Sequence, residues 1–206
     1  MKFVKKDYDS SYFNTWVEKL PLEKMFNKDK VKLIHSIKPS GKLLEIGCGR
    51  GKLLNELKKD YSVFGTDISK AAIIESSKLI DKKNLRVSNI EKEPIKEKYD
   101  IILAFDVLEH LKNPDKTIKN IKKSLKKDGV FIFSVPNNYG LFGKMMTAFF
   151  NYTDKTHVST FKRKKWIEIM KNAGFKSDIR NQHSFGISKW NIAKFYSFNL
   201  IMLNKI

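Results

Sequence analysis

The sequence predicts an α/β protein, a mostly parallel sheet with helices on both faces. Three observations carry this. Strand-like and helix-like patterns alternate from about residue 42 onward. Ile101, Ile102 and Leu103 stand in succession, as in a strand buried on both faces. Most telling, the apolar run Leu43-Leu44-Glu45-Ile46 stops at Gly47, Gly49 and Gly51, and a helical pattern begins at once. In such sheets, ligands bind beyond the carboxyl ends of the strands, where a glycine turn brings bare backbone close to a polar group.

Each element can be justified in order. Phe13, Trp16, Val17 and Leu20 suggest one helix, and Val31, Ile34 and Ile37 another. Residues 1–38 thus read as an N-terminal helical segment closing over the site, ahead of a domain at 39–206. Lys42 to Ile46 is the first strand; Lys52 to Lys59 puts Leu53, Leu54 and Leu57 on one helical face. Tyr61 to Thr66 is the second strand. Ser69 then caps a helix with Ile73, Ser77 and Ile80 at helical spacing. Leu85 to Ser88 and Tyr99 to Phe105 follow as strands. Asn113-Pro114-Asp115 starts a helix with proline at its first position, and Ile118, Ile121 and Leu125 face inward. Asp128-Gly129 turns the chain into a fifth strand, Val130 to Val135. A helix from about Arg163 to Ala173 is stopped by Gly174. Phe175 to Gln182 and Tyr196 to Asn204 are the last strand candidates.

Composition bounds the function. The 206 residues carry a formal charge of +19, yet only Arg50, Arg86, Arg163 and Arg180 among 41 basic residues are arginine. Lysine mostly solvates surfaces, whereas arginine reads phosphate bidentately, so a solvated surface is favoured over a nucleic-acid face. The cluster Phe161-Lys162-Arg163-Lys164-Lys165-Trp166 reads as the exposed first turn of a helix. With no apolar run of about 18 residues and no signal-peptide pattern, the expectation is a cytoplasmic protein. Cys48 is the single cysteine, which excludes a disulfide framework and a cysteine zinc site. It reads as a small buried residue rather than a nucleophile.

The glycine loop and its companions point to a nucleotide-like cofactor. The helix after Gly51 would present free N–H groups to a carboxylate or phosphate. Asp67, twenty residues after Gly47, ends the second strand. Its carboxylate can accept from both ribose hydroxyls, or it can simply cap the following helix. Ile68 can pack against an adenine ring, and Asn89 can read the adenine edge. The segment Phe105-Asp106-Val107-Leu108-Glu109-His110-Leu111 ends the fourth strand in a polar cluster. The spacing G-x-G-x-G brings the third glycine one residue earlier than a dinucleotide fingerprint, which argues against a nicotinamide-dependent oxidoreductase.

Together, LLEIGCGRGKLL, TDIS, YDIILAFDVLEHL and LKKDGVFIFSVPN resemble the class I S-adenosylmethionine-dependent methyltransferases, closest to the branch with an E-H-L signature after the fourth strand. The resemblance covers roughly residues 40–137, with a looser match to about residue 175. It implies a Rossmann-like sheet of seven strands, the last antiparallel, and S-adenosylmethionine as cofactor. It implies that Glu45, Gly47, Cys48, Gly49 and Gly51 line the methionine moiety and ribose. Asp67 would hold the ribose, with Ile68 against adenine, and Asn89 and the Ile90 N–H at the ring. The Phe105 carbonyl would meet the methionine ammonium, with Asp106 and Leu108 close by.

Methyl transfer needs a base only where the acceptor must lose a proton. His110, His157 and Asp106 are the candidates. Asp106, Glu109 and His110 have i, i+3, i+4 spacing and could share one face of a helical turn. Some ubiquinone-biosynthesis O-methyltransferases resemble this with a metal-binding Glu-x-x-Glu-His cluster. Here no metal is expected, with Asp106, Glu109 and His110 as the alternative set. Acceptor choice is expected in an insertion at about 137–161, rich in Met and aromatic residues, and at Tyr8, Tyr12, Phe13 and Trp16. Residues 139–152 could form a lid, touch a membrane surface or pack as a core helix. The leading expectation is methylation of a small molecule, on oxygen. The alternatives are an RNA or protein methyltransferase, a nicotinamide-dependent oxidoreductase and a non-catalytic cofactor-binding protein. Oligomeric state is not readable from the sequence.

Overall fold

A computed structural model describes residues 22–136, 157–183, 186–188 and 199–205. The expected helix around Phe13 to Leu20, and the suggested lid or membrane contact at 139–152, lie outside them. The chain divides into two compact units, Met1–Asn89 and Ile90–Ile206.

In the first unit, α1 (Leu22–Ile37) leads into β1 (Gly41–Ile46), α2 (Lys52–Leu57), β2 (Tyr61–Asp67), α3 (Lys70–Ser76) and β3 (Leu85–Val87). The strands pair in parallel, β1 with β2 from Gly41↔Tyr61 to Ile46↔Thr66 and β2 with β3 from Gly65↔Leu85 to Asp67↔Val87. Parallel register brings the ends of β1 and β2 to one level, which places the glycine loop beside Asp67. Leu53, Leu54 and Leu57 bury the inner face of α2, as their spacing predicts. On α3, Ser69 caps by accepting from the Ala72 N–H at 3.2 Å. Its buried face is Ala72 and Ser76, continued by Ile80, rather than Ile73 and Ser77; the helix ends at Ser76 and Ile80 lies beyond it. His35 fastens α1. Its ring nitrogens lie 2.9 Å from the Val31 carbonyl and 3.0 Å from the Asp60 carboxylate. The Val31 carbonyl, and secondarily Asp60, raise its pKa above the usual histidine range.

The second unit holds β4 (Tyr99–Phe105), a short 3-10 turn (Leu108–His110), α4 (Pro114–Lys123), β5 (Leu125–Pro136), α5 (Arg163–Asn172), β6 (Lys176–His183), β7 (Gly186–Ser188) and β8 (Asn199–Lys205). β4 and β5 are parallel; β8 runs antiparallel to both β5 and β6. Phe131, Phe133 and Trp166 are fully buried. Phe133 lies 5.2 Å from Phe131 and 5.8 Å from Trp166 between ring centroids. Gly174 at φ 77 stops α5 in the left-handed region, and its carbonyl accepts from Lys122 Nζ at 2.7 Å.

Three expectations are corrected. The described residues hold eight strands, not seven. The addition is β7, which pairs antiparallel with the end of β6 through Gln182↔Ile187 and His183↔Gly186. Three residues are too few to show an alternation in sequence. Leu125 belongs to β5, opposite Tyr99, and not to the preceding helix. Finally, Asp128-Gly129 lies inside β5. Leu125 faces Tyr99 and Val130 faces Ile101, so Lys126 to Gly129 bulge out against Asp100, with Asp128 at φ 61.

Candidate active site

The first unit builds a loop of bare backbone around one carboxylate. Gly47, Gly49 and Gly51 have φ of 70, 51 and 73, a region that side chains rarely adopt. The N–H groups of Gly47 and Cys48 both donate to the Thr66 carbonyl, at 2.7 and 3.1 Å. The loop is thereby tied to β2. Asp67 then reaches back: one oxygen accepts from the Gly49 N–H at 2.9 Å and the other from the Ser69 N–H at 2.8 Å. Asp67 thus ties the loop to the start of α3, as the capping reading expects. Burial pushes its pKa up, and backbone N–H groups of Ser69, Gly49 and Ile68 oppose the shift. A Cβ on Gly51 would lie 2.9 Å from Ser76 Cβ, so α3 packs against the loop at that point.

Glu45, at the end of β1, is buried, and its Oε2 has no hydrogen-bond partner among the described residues. Burial drives its pKa up to about 8; Lys30 opposes this and Asp67 adds to it. Cys48 is buried and the sulfur would touch a Cβ placed on Gly65 at 2.8 Å. Burial also pushes the thiol pKa up, which suits packing and not nucleophilic attack. Ile68, just past β2, and Val87, the last residue of β3, are each 46% exposed, two large apolar side chains at neighbouring strand ends. Asn89 follows just past β3, half-buried.

In the second unit, Ile90 and Phe105 are buried and Leu108 is fully so. Asp106 has φ 55, a left-handed conformation that costs a non-glycine residue about 1 kcal/mol. Ser134 on β5 holds it: the Asp106 N–H donates to Ser134 Oγ at 3.1 Å, and Ser134 Oγ donates to Asp106 Oδ1 at 2.7 Å. The helical turn covers only Leu108–His110. Asp106 therefore does not share its face with Glu109 and His110, which corrects the expected alternative metal set. His157 takes that place. Its ring lies 4.7 Å from that of His110 in an edge-to-face arrangement. Glu109, His110 and His157 each offer a ligand atom, all within 4.8 Å of one another, so this trio could hold a divalent ion. Glu109 itself is 1% exposed. It also lines a small cleft with Val135, Pro136, Ser159, Phe161 and Trp166.

Sequence reasoning missed Ser134 and Ser159. Their partners lie 28 and 48 residues away, and a lone serine carries no local signal.

A glycine loop after β1, an acidic residue ending β2 and a polar turn after β4, carried on an α/β fold with a mostly parallel sheet, define a class I S-adenosylmethionine-dependent methyltransferase. The chain belongs to the family described as "Methyltransferase domain", whose model matches residues 19–178. It is 31% identical over 169 residues to the uncharacterized protein MJ1123 of Methanocaldococcus jannaschii, covering 77% of this chain and 76% of that one. It is 38% identical over 102 residues to the ubiquinone biosynthesis O-methyltransferase of Pelagibacter ubique, covering 47% of this chain and 42% of that enzyme. The chain spans less than half the length of the ubiquinone-biosynthesis enzymes it matches. A solved S-adenosylmethionine-dependent methyltransferase from Archaeoglobus fulgidus shares the fold, with a TM-score of 0.75 at 19% identity, covering 96% of this chain and all (100%) of that one. Family membership sets aside the oxidoreductase and non-catalytic alternatives.

The first unit fits this cofactor on its own terms. The buried Glu45 oxygen lacks a donor, and ribose hydroxyls and ammonium groups are donors. The Gly47 backbone is exposed. Among the described residues, no helix is long and apolar enough to cross a membrane.

Proposed function

We propose that this methyltransferase acts on an oxygen of a small-molecule acceptor, with His110 as the base. The His110–His157 pair beside Glu109 carries the reading. An amine acceptor is already nucleophilic when neutral, whereas a hydroxyl must shed its proton as it attacks. The similarity to ubiquinone-biosynthesis O-methyltransferases supports oxygen as the methylated atom.

S-adenosylmethionine supplies a methyl group on a positive sulfur, which leaves as a neutral thioether. The residues of this chain bind, orient and deprotonate. Asp67 and Glu45 hold ribose and methionine donors, and the bare backbone of Gly47, Gly49 and Gly51 lets the cofactor approach. Ile68 packs on adenine, Asn89 and the Ile90 N–H read its edge, and the Phe105 carbonyl accepts from the ammonium beside Asp106. Leu108 lies close by and is buried. His110 takes the acceptor proton, and His157 holds its ring. In this reading, Glu109 stays a buried residue of the turn and the reaction needs no metal. The insertion at 137–161 chooses the acceptor.

The test is a screen of phenols, alcohols, carboxylic acids and amines that detects S-adenosylhomocysteine. Turnover of hydroxyl acceptors, undiminished by a chelator, is expected. Turnover confined to amines would sink the oxygen assignment, and activity abolished by chelation would move the Glu109, His110 and His157 trio to a metal role. A second reading, methylation of RNA or protein, draws on the +19 charge. Affinity for RNA falling steeply with salt would favour it.

A further inference from the structure

We infer that Ser159 is a positioning residue: it straps the segment 157–161 onto the Leu108–His110 turn and thereby sets His157 against His110. This deepens the reading above and rests on its assignment of the histidine pair.

The strap consists of three hydrogen bonds. The backbone N–H groups of Val158 and Ser159 both donate to the Glu109 carbonyl, at 2.9 and 2.8 Å. The Ser159 hydroxyl donates to the Leu111 carbonyl at 2.6 Å. Ser159 is 3% exposed, whereas Val158 is 42% exposed, so the serine and not its apolar neighbour is the anchor. The need for it follows from the turn. A single 3-10 turn of three residues is weak by itself, and carbonyls at its end lack helical partners. The strap supplies donors to two of them, at Glu109 and Leu111, on both sides of His110.

The far side of the strap is also fixed. The Phe161 N–H donates to the Ser159 carbonyl at 2.9 Å, and the Phe161 ring lies 5.3 Å from Trp166. Trp166 is 1% exposed, part of the aromatic core. His157 sits two residues before Ser159, in a segment held by the turn and the core. Its ring centroid lies 4.7 Å from that of His110. Without the hydroxyl, the Leu111 carbonyl stays buried without its donor, and the segment loses the bond that fixes its distance from the turn. A base must hold its orientation to remove a proton efficiently, so loosening the strap loosens the pair.

The experiment uses the full chain. In the unaltered protein, the Val158 and Ser159 amides should exchange with solvent at least ~100-fold more slowly than free peptide. A nuclear Overhauser contact should join the two imidazole rings. In Ser159→Ala that contact should vanish, while affinity for S-adenosylhomocysteine by calorimetry stays within about twofold, a sign that the domain remains folded. Ser159→Thr keeps the hydroxyl and should retain the contact. Unprotected amides in the unaltered protein, or an intact ring contact in Ser159→Ala, would overturn the proposal. The two levels separate: full turnover in His110→Ala removes the catalytic reading and leaves the strap standing, whereas an intact contact in Ser159→Ala does the reverse.

Discussion

The loop after β1 and the turn after β4 are both irregular, but they are held in different ways. The glycine loop is held by the one strand that pairs with β1, through a carbonyl and a carboxylate of the adjacent residues Thr66 and Asp67. The histidine turn is held from afar, by Ser134 on β5 through Asp106 and by Ser159 through Leu111. A site built on local backbone geometry has few sequence solutions and leaves a motif. One built on distant side chains can be rearranged without leaving one. On the proposed reading, the first suits a constant ligand, the cofactor, and the second an acceptor that differs among enzymes.

The largest effect should come from Asp67→Ala, which removes the group that bonds Gly49 and Ser69 as well as the proposed ribose contact. Affinity for S-adenosylhomocysteine should fall by about 100-fold or more, since hydrogen bonds to a charged group are worth about 1.5–3 kcal/mol each. Calorimetry showing unchanged affinity would break the comparison at its stronger end. His110→Ala should do the opposite: turnover falls on the order of 100-fold, the scale of general-base catalysis, while cofactor affinity holds. Equal losses in both would mean that the two regions are not separable. Next is Gly51→Ala. A Cβ there meets Ser76 Cβ at 2.9 Å and Ser76 Cα at 3.3 Å, at φ 73. Strain and overpacking should cost about 1–3 kcal/mol, read as a lowered urea midpoint. The smallest effect belongs to His35. Its folded pKa is raised, so its contribution is complete below the unfolded value of 6.5 and fades as pH rises through the folded one. A partly exposed pair is worth about 0.2–1 kcal/mol. The gap in urea midpoint between the unaltered protein and His35→Gln should therefore narrow as pH rises from below 6.5 through the raised folded value. A gap that widens would reverse the assignment of sign.

This contrast also explains what the sequence disclosed. The strand ends, the glycine loop, Asp67 and the Ser69 cap were readable because each is fixed by neighbours within a few residues or by parallel register. The bulge at Lys126 to Gly129 was readable only as a turn, because Asp-Gly signals a reversal and not that the strand begins before it. Asp106 was misplaced because i, i+3, i+4 spacing presumes a helix, and the chain is left-handed there at φ 55. His157 stood out as a residue type, but its meeting with His110 depends on Ser159, whose importance no local pattern reveals.

On the proposed contact with Glu45, loading of the methyl donor becomes pH-dependent. With a pKa of about 8 in the free protein, the carboxyl is largely protonated at neutrality. A cofactor that donates to its ionised form must expel that proton. Loading at pH 7 should therefore release nearly one proton, seen as calorimetric heats that change with the ionisation enthalpy of the buffer and lose that dependence in Glu45→Gln. Donor occupancy would then rise with alkalinity until about pH 8 and level off above it. Acidification would lower donor occupancy.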